Sequence, residues 1–257
     1  TANDTQADGL THSSIWCIVK DNQGTLWLGT YFGGVNYFNP EYEIYTRYSY
    51  SSNEKKGLSN PVVGRTIEDR DGNLWIGTEG GGLNYYNRRT REFKWYRPQE
   101  GRNSISHNNV KALYYDADKE IIWIGTHLGG LNKLDIRSGH FTHYRMEEGN
   151  PNTLPSDIIR DIIPYKSLLI IATQNGVCLF DPANGQCQQL FKDSKEGKSI
   201  KMVADVTFDS EGTLWIAATG EGVFSYRFDT CRLTNYRHDA TNPNSLSNNN
   251  VNNMTQD

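Results

Sequence analysis

Apolar residues in this chain fall in short runs of about four to six, separated by stretches rich in Gly, Asp, Asn and Ser. One run recurs. It reads LWLGT from Leu26, LWIGT from Leu74, IWIGT from Ile122, LIIAT from Leu169 and LWIAAT from Leu214, with copies 48, 48, 47 and 45 residues apart. Glycine follows each copy, at Gly33-Gly34, Gly81-Gly82, Gly129-Gly130, Gly176 and Gly222. A turn precedes three of them, at Asp21–Gly24, Asp69–Gly72 and Asp209–Gly212. The third copy has Asp116–Glu120 there and the fourth only Pro164–Ser167. Further upstream a polar turn leads to Ile15, Val63, Val110 and Ile159, and Ser245–Val251 repeats that element once more.

Within one copy the pattern is that of strands. In the third, Val110–Tyr115, Ile121–Thr126, Gly130–Leu134 and Phe141–Tyr144 are short apolar or alternating runs bounded by turn residues, as strands are. No stretch holds a helical period with caps. The DxxG turns suit hairpins, since Asp accepts backbone N–H groups and Gly takes positive φ. Four strands in about 48 residues, repeated, predict an all-β fold: a β-propeller of four-stranded antiparallel blades. The expected blades are 9–56, 57–103, 104–152, 153–198 and 199–244, and 245–257 opens the next with its first strand.

Composition narrows the class. The 257 residues carry 12% aromatics and 24 Gly, a pairing that fits many short strands and tight turns. Net charge is −4 with no Lys/Arg block, so no nucleic-acid partner is expected. The longest apolar run, Leu168–Ala172, is far too short to span a bilayer, and residues 1–6 (TANDTQ) do not read as a signal peptide. No membrane insertion of this segment is expected.

The pattern GLS-N-x-V, D-x-x-G-x-LWIGT, GGL-N-x-Y resembles the two-component regulator propeller repeat. The resemblance runs through all five copies and is tightest at Asp71–Thr78 with Gly81–Asn84, and at Trp123–Thr126 with Gly129–Asn132. The fourth copy departs, with Ile170 in place of Trp and Gly176 alone of the glycine pair. Such repeats build periplasmic sensor regions of hybrid two-component systems in glycan-degrading Bacteroidetes. There, two seven-bladed propellers precede an immunoglobulin-like domain, a membrane helix and a histidine kinase. The resemblance therefore implies a segment of a seven-bladed ring, with a closed five-bladed ring as the alternative, an ectodomain of an inner-membrane protein, and a non-catalytic sensing role. It also implies the remaining blades, or a second copy, as partners for the apolar faces an incomplete ring would expose.

Positions equal in all copies serve the blade, and positions that vary in its loops are free to serve a ligand. Trp27, Trp75, Trp123 and Trp215 recur and are assigned to the core. The loop between strands two and three carries Tyr31-Phe32, Glu79, His127, Gln174 and Glu221. Aromatic faces cover sugar C–H faces, while carboxylates and amides pair hydroxyls, so an oligosaccharide is the expected ligand. The first strand lines a central channel with Trp16, Arg65, Lys111 and Arg160, plus Asp161 and Asp205. The basic residues there could meet an acidic sugar. Trp95, with Phe93 and Tyr96, marks either a partner surface or a blade edge.

Other chemistry is mostly absent. His140 and His143 fall on opposite faces of a strand. No CxxC or HExxH pattern occurs, so neither a metal nor a cofactor is expected. Cys178 and Cys187 flank the Asp181–Gly185 turn and could face each other across a hairpin, as a disulfide or as two small strand residues. No nucleophile elbow appears. The alternatives to a sensor are a propeller enzyme, lyase or glycosidase, and a protein-interaction scaffold.

Overall fold

The computed structural model describes residues 10–39 and 44–255. Its strands form five antiparallel sheets of four, each in chain order. The sheets are β1 (Ile15–Lys20), β2 (Leu26–Thr30), β3 (Val35–Asn39), β4 (Ile44–Tyr48); β5 (Val63–Glu68), β6 (Leu74–Thr78), β7 (Gly82–Asn87), β8 (Glu92–Tyr96); β9 (Val110–Asp116), β10 (Ile121–Thr126), β11 (Leu131–Asp135), β12 (His140–Tyr144); β13 (Ile159–Tyr165), β14 (Leu168–Thr173), β15 (Gly176–Phe180), β16 (Cys187–Gln189); and β17 (Val203–Phe208), β18 (Leu214–Ala218), β19 (Gly222–Arg227), β20 (Arg232–Tyr236). The four strands expected in the third repeat are all present, with ends moved by at most one residue. The fold is an all-β propeller fold. Residues 1–143 and 144–257 form two compact units. The first holds three blades, apart from the last residue of β12, and the second holds two.

Each recurring residue has a mechanical task. The Asp69 carboxylate accepts the N–H groups of Asp71 (3.0 Å) and Asn73 (2.9 Å) and the indole N–H of Trp75 (3.0 Å). It thereby shapes the turn and orients the core tryptophan with one side chain. Asp21 does the same for Gln23, Thr25 and Trp27, and Asp209 for Glu211, Thr213 and Trp215. In all three the Trp stands six residues after the Asp. The third turn is one residue longer, and its Asp116 accepts from Lys119 Nζ (2.9 Å) instead. The fourth lacks both Asp and Trp. A two-residue turn at Lys166-Ser167 joins β13 to β14, with Lys166 at φ 56°.

The other end of strand two is fixed by its threonine. Thr30, Thr78, Thr126 and Thr173 are buried, and each donates its hydroxyl to the carbonyl of the glycine that opens strand three, at 2.9 Å. Ala218 holds that place in the fifth blade. That opening glycine cannot be replaced: Gly82 has φ 80°, and a Cβ there would sit 2.2 Å from the Tyr96 carbonyl oxygen. Buried Asn36, Asn84 and Asn132 accept the N–H groups of Thr11, Ser59 and Ser106 (3.1, 2.8 and 2.8 Å), tying strand three to the segment before strand one. In the fourth blade Cys178 replaces the Asn, and Pro155 stands where the N–H would be, so donor and acceptor are lost together.

Blades pack face to face through apolar clusters. One gathers Trp27, Val35, Leu58, Val63, Leu74 and Ile76, and another in the second unit gathers Ile170, Ala172, Val203, Leu214 and Phe224. The contact is close because strand two carries glycine where the next blade's first strand meets it. A Cβ on Gly77 would lie 2.6 Å from Val110 Cγ1.

The junctions differ in chemistry. Between the first two blades, Arg88 reaches Asp21 (2.7 Å) and Glu68 (3.6 Å) and lies 5.3 Å over the Trp27 ring. The residues at the same repeat positions in the fourth and fifth blades are Phe228, Tyr165 and Phe208. They form a stack instead, with centroids 4.3 Å (Tyr165–Phe228), 5.5 Å (Tyr165–Phe208) and 6.4 Å (Phe208–Phe228) apart.

Two expectations change, and the alternative left open at the cysteines is decided. Cys178 pairs with Gln189 and Cys187 with Phe180, so the cysteines are offset diagonally rather than opposed, and both thiols are free. Trp215 is half-buried, whereas Trp27, Trp75 and Trp123 are fully covered. It lines an open groove with Val223, Tyr236 and Leu246, because the following segment supplies loop and no sheet there. That segment, residues 245–255, contains no strand. Its lead-in is nonetheless placed as in other blades, with Asn249 O accepting from Gly222 N (3.0 Å) as Asn108 O accepts from Gly82 N (2.7 Å).

Two measurements test these roles. Gly77→Val should cost about 1–3 kcal/mol by overpacking in chemical denaturation; an unchanged midpoint would mean β6 and β9 do not meet at this glycine. Burial by itself would raise the Asp21 pKa, but the hydrogen bonds from Trp27, Thr25 and Gln23 and the charge of Arg88 outweigh it and hold the carboxyl below its usual value. A lowered folded pKa adds stability above the unfolded value, about 3.9, and that stability fades as pH falls through the folded pKa. Asp21→Asn should therefore be less stable than the parent at neutral pH, with the gap narrowing below about pH 4.

Candidate functional site

The loops between strands two and three are pinned at their first residue. The N–H groups of Tyr31, Glu79, His127 and Gln174 bond the carbonyls of Ser14, Val62, Asn109 and Ile158 at 3.1, 3.0, 2.9 and 3.0 Å. Those carbonyls lie just before strand one of the same blade, so these four side chains start from equivalent backbone positions. In the fifth blade Thr219 makes the equivalent bond to Met202 (3.2 Å), and Glu221 follows two residues later.

A second device aims the first-strand residues. Every strand one has a register shift after its first residue, between Ile15 and Cys17, Val63 and Thr66, Val110 and Ala112, Ile159 and Asp161, and Val203 and Asp205. A bulge leaves the extra residue outside the ladder and re-aims its side chain. Trp16, Lys111 and Arg160 are such residues. Nothing in the sequence marks these bulges, because the alternation on either side of them is intact.

In the first unit the two devices converge. The Trp16 ring stacks on Tyr31 with centroids 4.8 Å apart and planes 29° apart, and Tyr31 meets Phe32 edge-on at 4.3 Å. His12 completes the group, 6.3 Å from Tyr31 and 6.4 Å from Phe32. Lys111 places its ammonium 5.9 Å over the Trp16 ring and forms an ion pair with Glu79. Trp16, Tyr31 and Phe32 are 46, 37 and 57% exposed, although aromatic residues elsewhere in the blades fill the core. Five residues proposed in two separate groups, loop and channel, thus form one aromatic surface edged by a cation and a carboxylate.

The remaining candidates lie elsewhere. Arg65 is half-buried on β5, close enough to Cys17 to act on its charge. Burial pushes the Cys17 thiol up, against the opposing hydrogen bond to Thr66, so it stays protonated at neutral pH and is a poor nucleophile. His127 is half-buried at its loop position. In the second unit, Glu221 pairs with Arg237 at 2.6 Å, Gln174 O accepts from Met202 N at 2.7 Å, and Arg160 sits on the β13 bulge. The channel aspartates hold backbone: Asp161 accepts from Val206 N (3.4 Å) and Asp205 from Met254 N (2.8 Å). Trp95 is an edge tie, its indole N–H bonded to Gly57 O at 2.9 Å with the Arg97 guanidinium 4.5 Å from the ring.

Among the described residues no group of three or more His, Cys, Asp or Glu side chains could hold a metal ion, and no helix is long and apolar enough to cross a membrane. Trp16 is the one exposed residue among the six tryptophans. Trp16→Phe should therefore lower the acrylamide quenching of tryptophan fluorescence and leave the folding midpoint within about 0.5 kcal/mol; unchanged quenching would mean that the Trp16 indole is covered.

Comparison with known proteins gives the same architecture. The extracellular domain described as that of the hybrid two-component system BT3049 from B. thetaiotaomicron superposes with a TM-score of 0.75 at 23% identity, over 96% of this chain and 38% of that one. The extracellular domain of BT4673 from the same organism gives 0.73 at 22%, over 88% and 31%. A catalytically inactive virginiamycin B lyase from Staphylococcus aureus, solved with quinupristin, gives 0.64 at 13%, over 91% and 72%. This chain thus spans about a third of the two Bacteroides domains. No curated protein sequence matches it. The sequence model of the family described as "Two component regulator propeller" matches residues 9–32, 57–80 and 104–127. Each match runs from the lead-in of a blade, through its first two strands and their Asp turn, into the loop that carries Tyr31, Glu79 or His127, and so the first three blades match the two-component regulator propeller repeat.

Proposed function

We propose that this chain is a non-catalytic, ligand-sensing segment of an extracytoplasmic sensor propeller, and that it recognises an oligosaccharide. The observation that carries the ligand class is the exposed Trp16–Tyr31–Phe32 surface beside the Lys111–Glu79 pair. A sugar ring offers an apolar C–H face for stacking and hydroxyls at its rim for charged partners. The sensing role is supported by the repeats and by the likeness to extracellular domains of two-component systems. In this reading the parent protein is anchored in the inner membrane with this part in the periplasm, further blades complete a seven-bladed ring, and a histidine kinase lies beyond the membrane. Ligand binding favours one arrangement of the sensor over another, and the kinase follows that population shift.

Calorimetry of the chain against a panel of neutral and acidic oligosaccharides is the direct test. At least one glycan should bind, and Trp16→Ala should weaken it about tenfold, the order of 1–3 kcal/mol lost with a stacking aromatic. Failure of the whole panel, for the chain and for the complete ectodomain alike, would end the glycan reading. Turnover of a panel member would put a propeller lyase or glycosidase in its place.

A further inference from the structure

The outer edge of the fifth blade differs from the outer edges of the blades before it. In a strand at a sheet edge, every second residue turns its N–H and C=O away from the sheet, and a bare row of these groups is a template for another strand. Earlier blades fill a place on that row with a group from the preceding loop. Trp95 N on β8 donates to Glu54 Oε1 (2.6 Å), Phe141 N on β12 to Asn103 Oδ1 (2.7 Å) and Cys187 N on β16 to the Asn152 carbonyl (2.8 Å).

On β20 the equivalent donors are Leu233, which stands where Phe141 and Cys187 do, and Asn235, which stands where Trp95 does. Neither N–H has an acceptor among the described residues. The preceding loop, 190–202, lies beside them. Its Phe191 and Ile200 share an apolar cluster with Leu233, and Phe191 meets Tyr226, the β19 partner of Leu233, edge-on at 4.7 Å. Its Glu196 stands four residues before Ile200, as Glu54 stands four before Leu58. The Glu196 carbonyl accepts from Ser199 N (3.2 Å) and Ser199 Oγ (2.7 Å), and its side chain makes no bond to β20. What the loop presents instead is charge. Lys192, Lys195, Lys198 and Lys201 are exposed, as is Arg232 on β20. They outnumber Asp193 and Glu196, and none forms an ion pair among the described residues.

We propose that β20 takes up an extended, acidic segment of a partner polypeptide as a fifth strand of its sheet. The segment's carbonyls accept from Leu233 N and Asn235 N, its N–H groups donate to the outward carbonyls of the same two residues, and its carboxylates lie against Arg232 and the lysines of loop 190–202. Strand addition draws affinity from the main chain and leaves specificity to side chains, and here specificity is charge. A polyanion without a peptide backbone would match the lysines and leave the edge bare. The site stands apart from the Trp16 surface and does not rest on the glycan reading.

The test is an NMR titration of the 257-residue chain with a peptide of about six residues, the usual length of a strand, alternating Glu and Val. The peptide should bind, and the amides of Leu233 and Asn235 should shift and gain protection from hydrogen exchange. The matching Lys–Val peptide should bind about tenfold more weakly, and the double variant Lys195→Glu, Lys198→Glu should weaken the Glu–Val peptide to a similar degree. Asn235→Pro removes an outward donor and no bond of the β19–β20 ladder, so it should fold and weaken the peptide about fivefold, the order of one lost hydrogen bond. The amide readout uses the unaltered chain and decides the matter even if that variant does not fold. Trp16→Ala should leave peptide binding unchanged. No binding of the Glu–Val peptide would overturn the proposal. So would binding that leaves the Leu233 and Asn235 amides exchanging as in the free chain and that polyphosphate displaces, which would make the loop a polyanion site only.

Discussion

Within each unit, close approach of a blade's first strand to the second strand of the blade before it governs the structure. Val63 and Val110 lie against Gly29 and Gly77, where a Cβ would come within 2.6 Å of the valine. The second unit has Ala172 and Ala217 at the same repeat positions, both fully buried. A sheet face buries its apolar side chains only if the neighbouring sheet comes within side-chain reach, and a bulky residue in strand two would hold the two apart. The bulge in each strand one arises beside this contact. At Val63, Val110 and Val203 it seats the valine in the junction and turns the next residue out.

Around that contact the blade is held by side chains that each satisfy several backbone groups. Asp21, Asp69 and Asp209 serve a turn and an indole together, and Asn36, Asn84 and Asn132 tie strand three to the chain ahead of strand one. Buried polar groups are stable only when paired, so these devices vary as sets. The fourth blade shows this twice. Cys178 comes with Pro155, and the loss of the Asp turn comes with Ile170 in place of Trp. The Arg88 junction and the Phe228 junction show the same rule applied to charge: a cation with two carboxylates is exchanged for three rings, and no single member is left behind.

The proposed ligand surface occupies what the blade leaves free. Trp16 holds a position that is Gly64 in the second blade, Lys111 in the third and Arg160 in the fourth, so the frame places no demand on that side chain. Tyr31, Glu79 and His127 likewise share a pinned backbone position and nothing else. That freedom lets an aromatic surface of the first blade meet an ion pair formed by the second and third without weakening any of them.

The repeat, the four strands per copy, their order and the residues that hold them were all legible in the sequence, because five tandem copies let recurring Trp, Thr, Gly and Asp be separated from varying loop residues. Tyr31, Phe32, Glu79, Trp16 and Lys111 were legible as candidates for the same reason. Their meeting was not. It depends on the bulges and on which blade faces which, and both are set by packing between sheets rather than by any local pattern. The diagonal offset of Cys178 and Cys187 is a matter of register across a hairpin, and the aromatic stack of Tyr165, Phe208 and Phe228 joins residues from two blades. Local sequence dictates strands and turns because backbone preference and alternation act within a few residues; contacts between blades are decided only when the sheets close on one another.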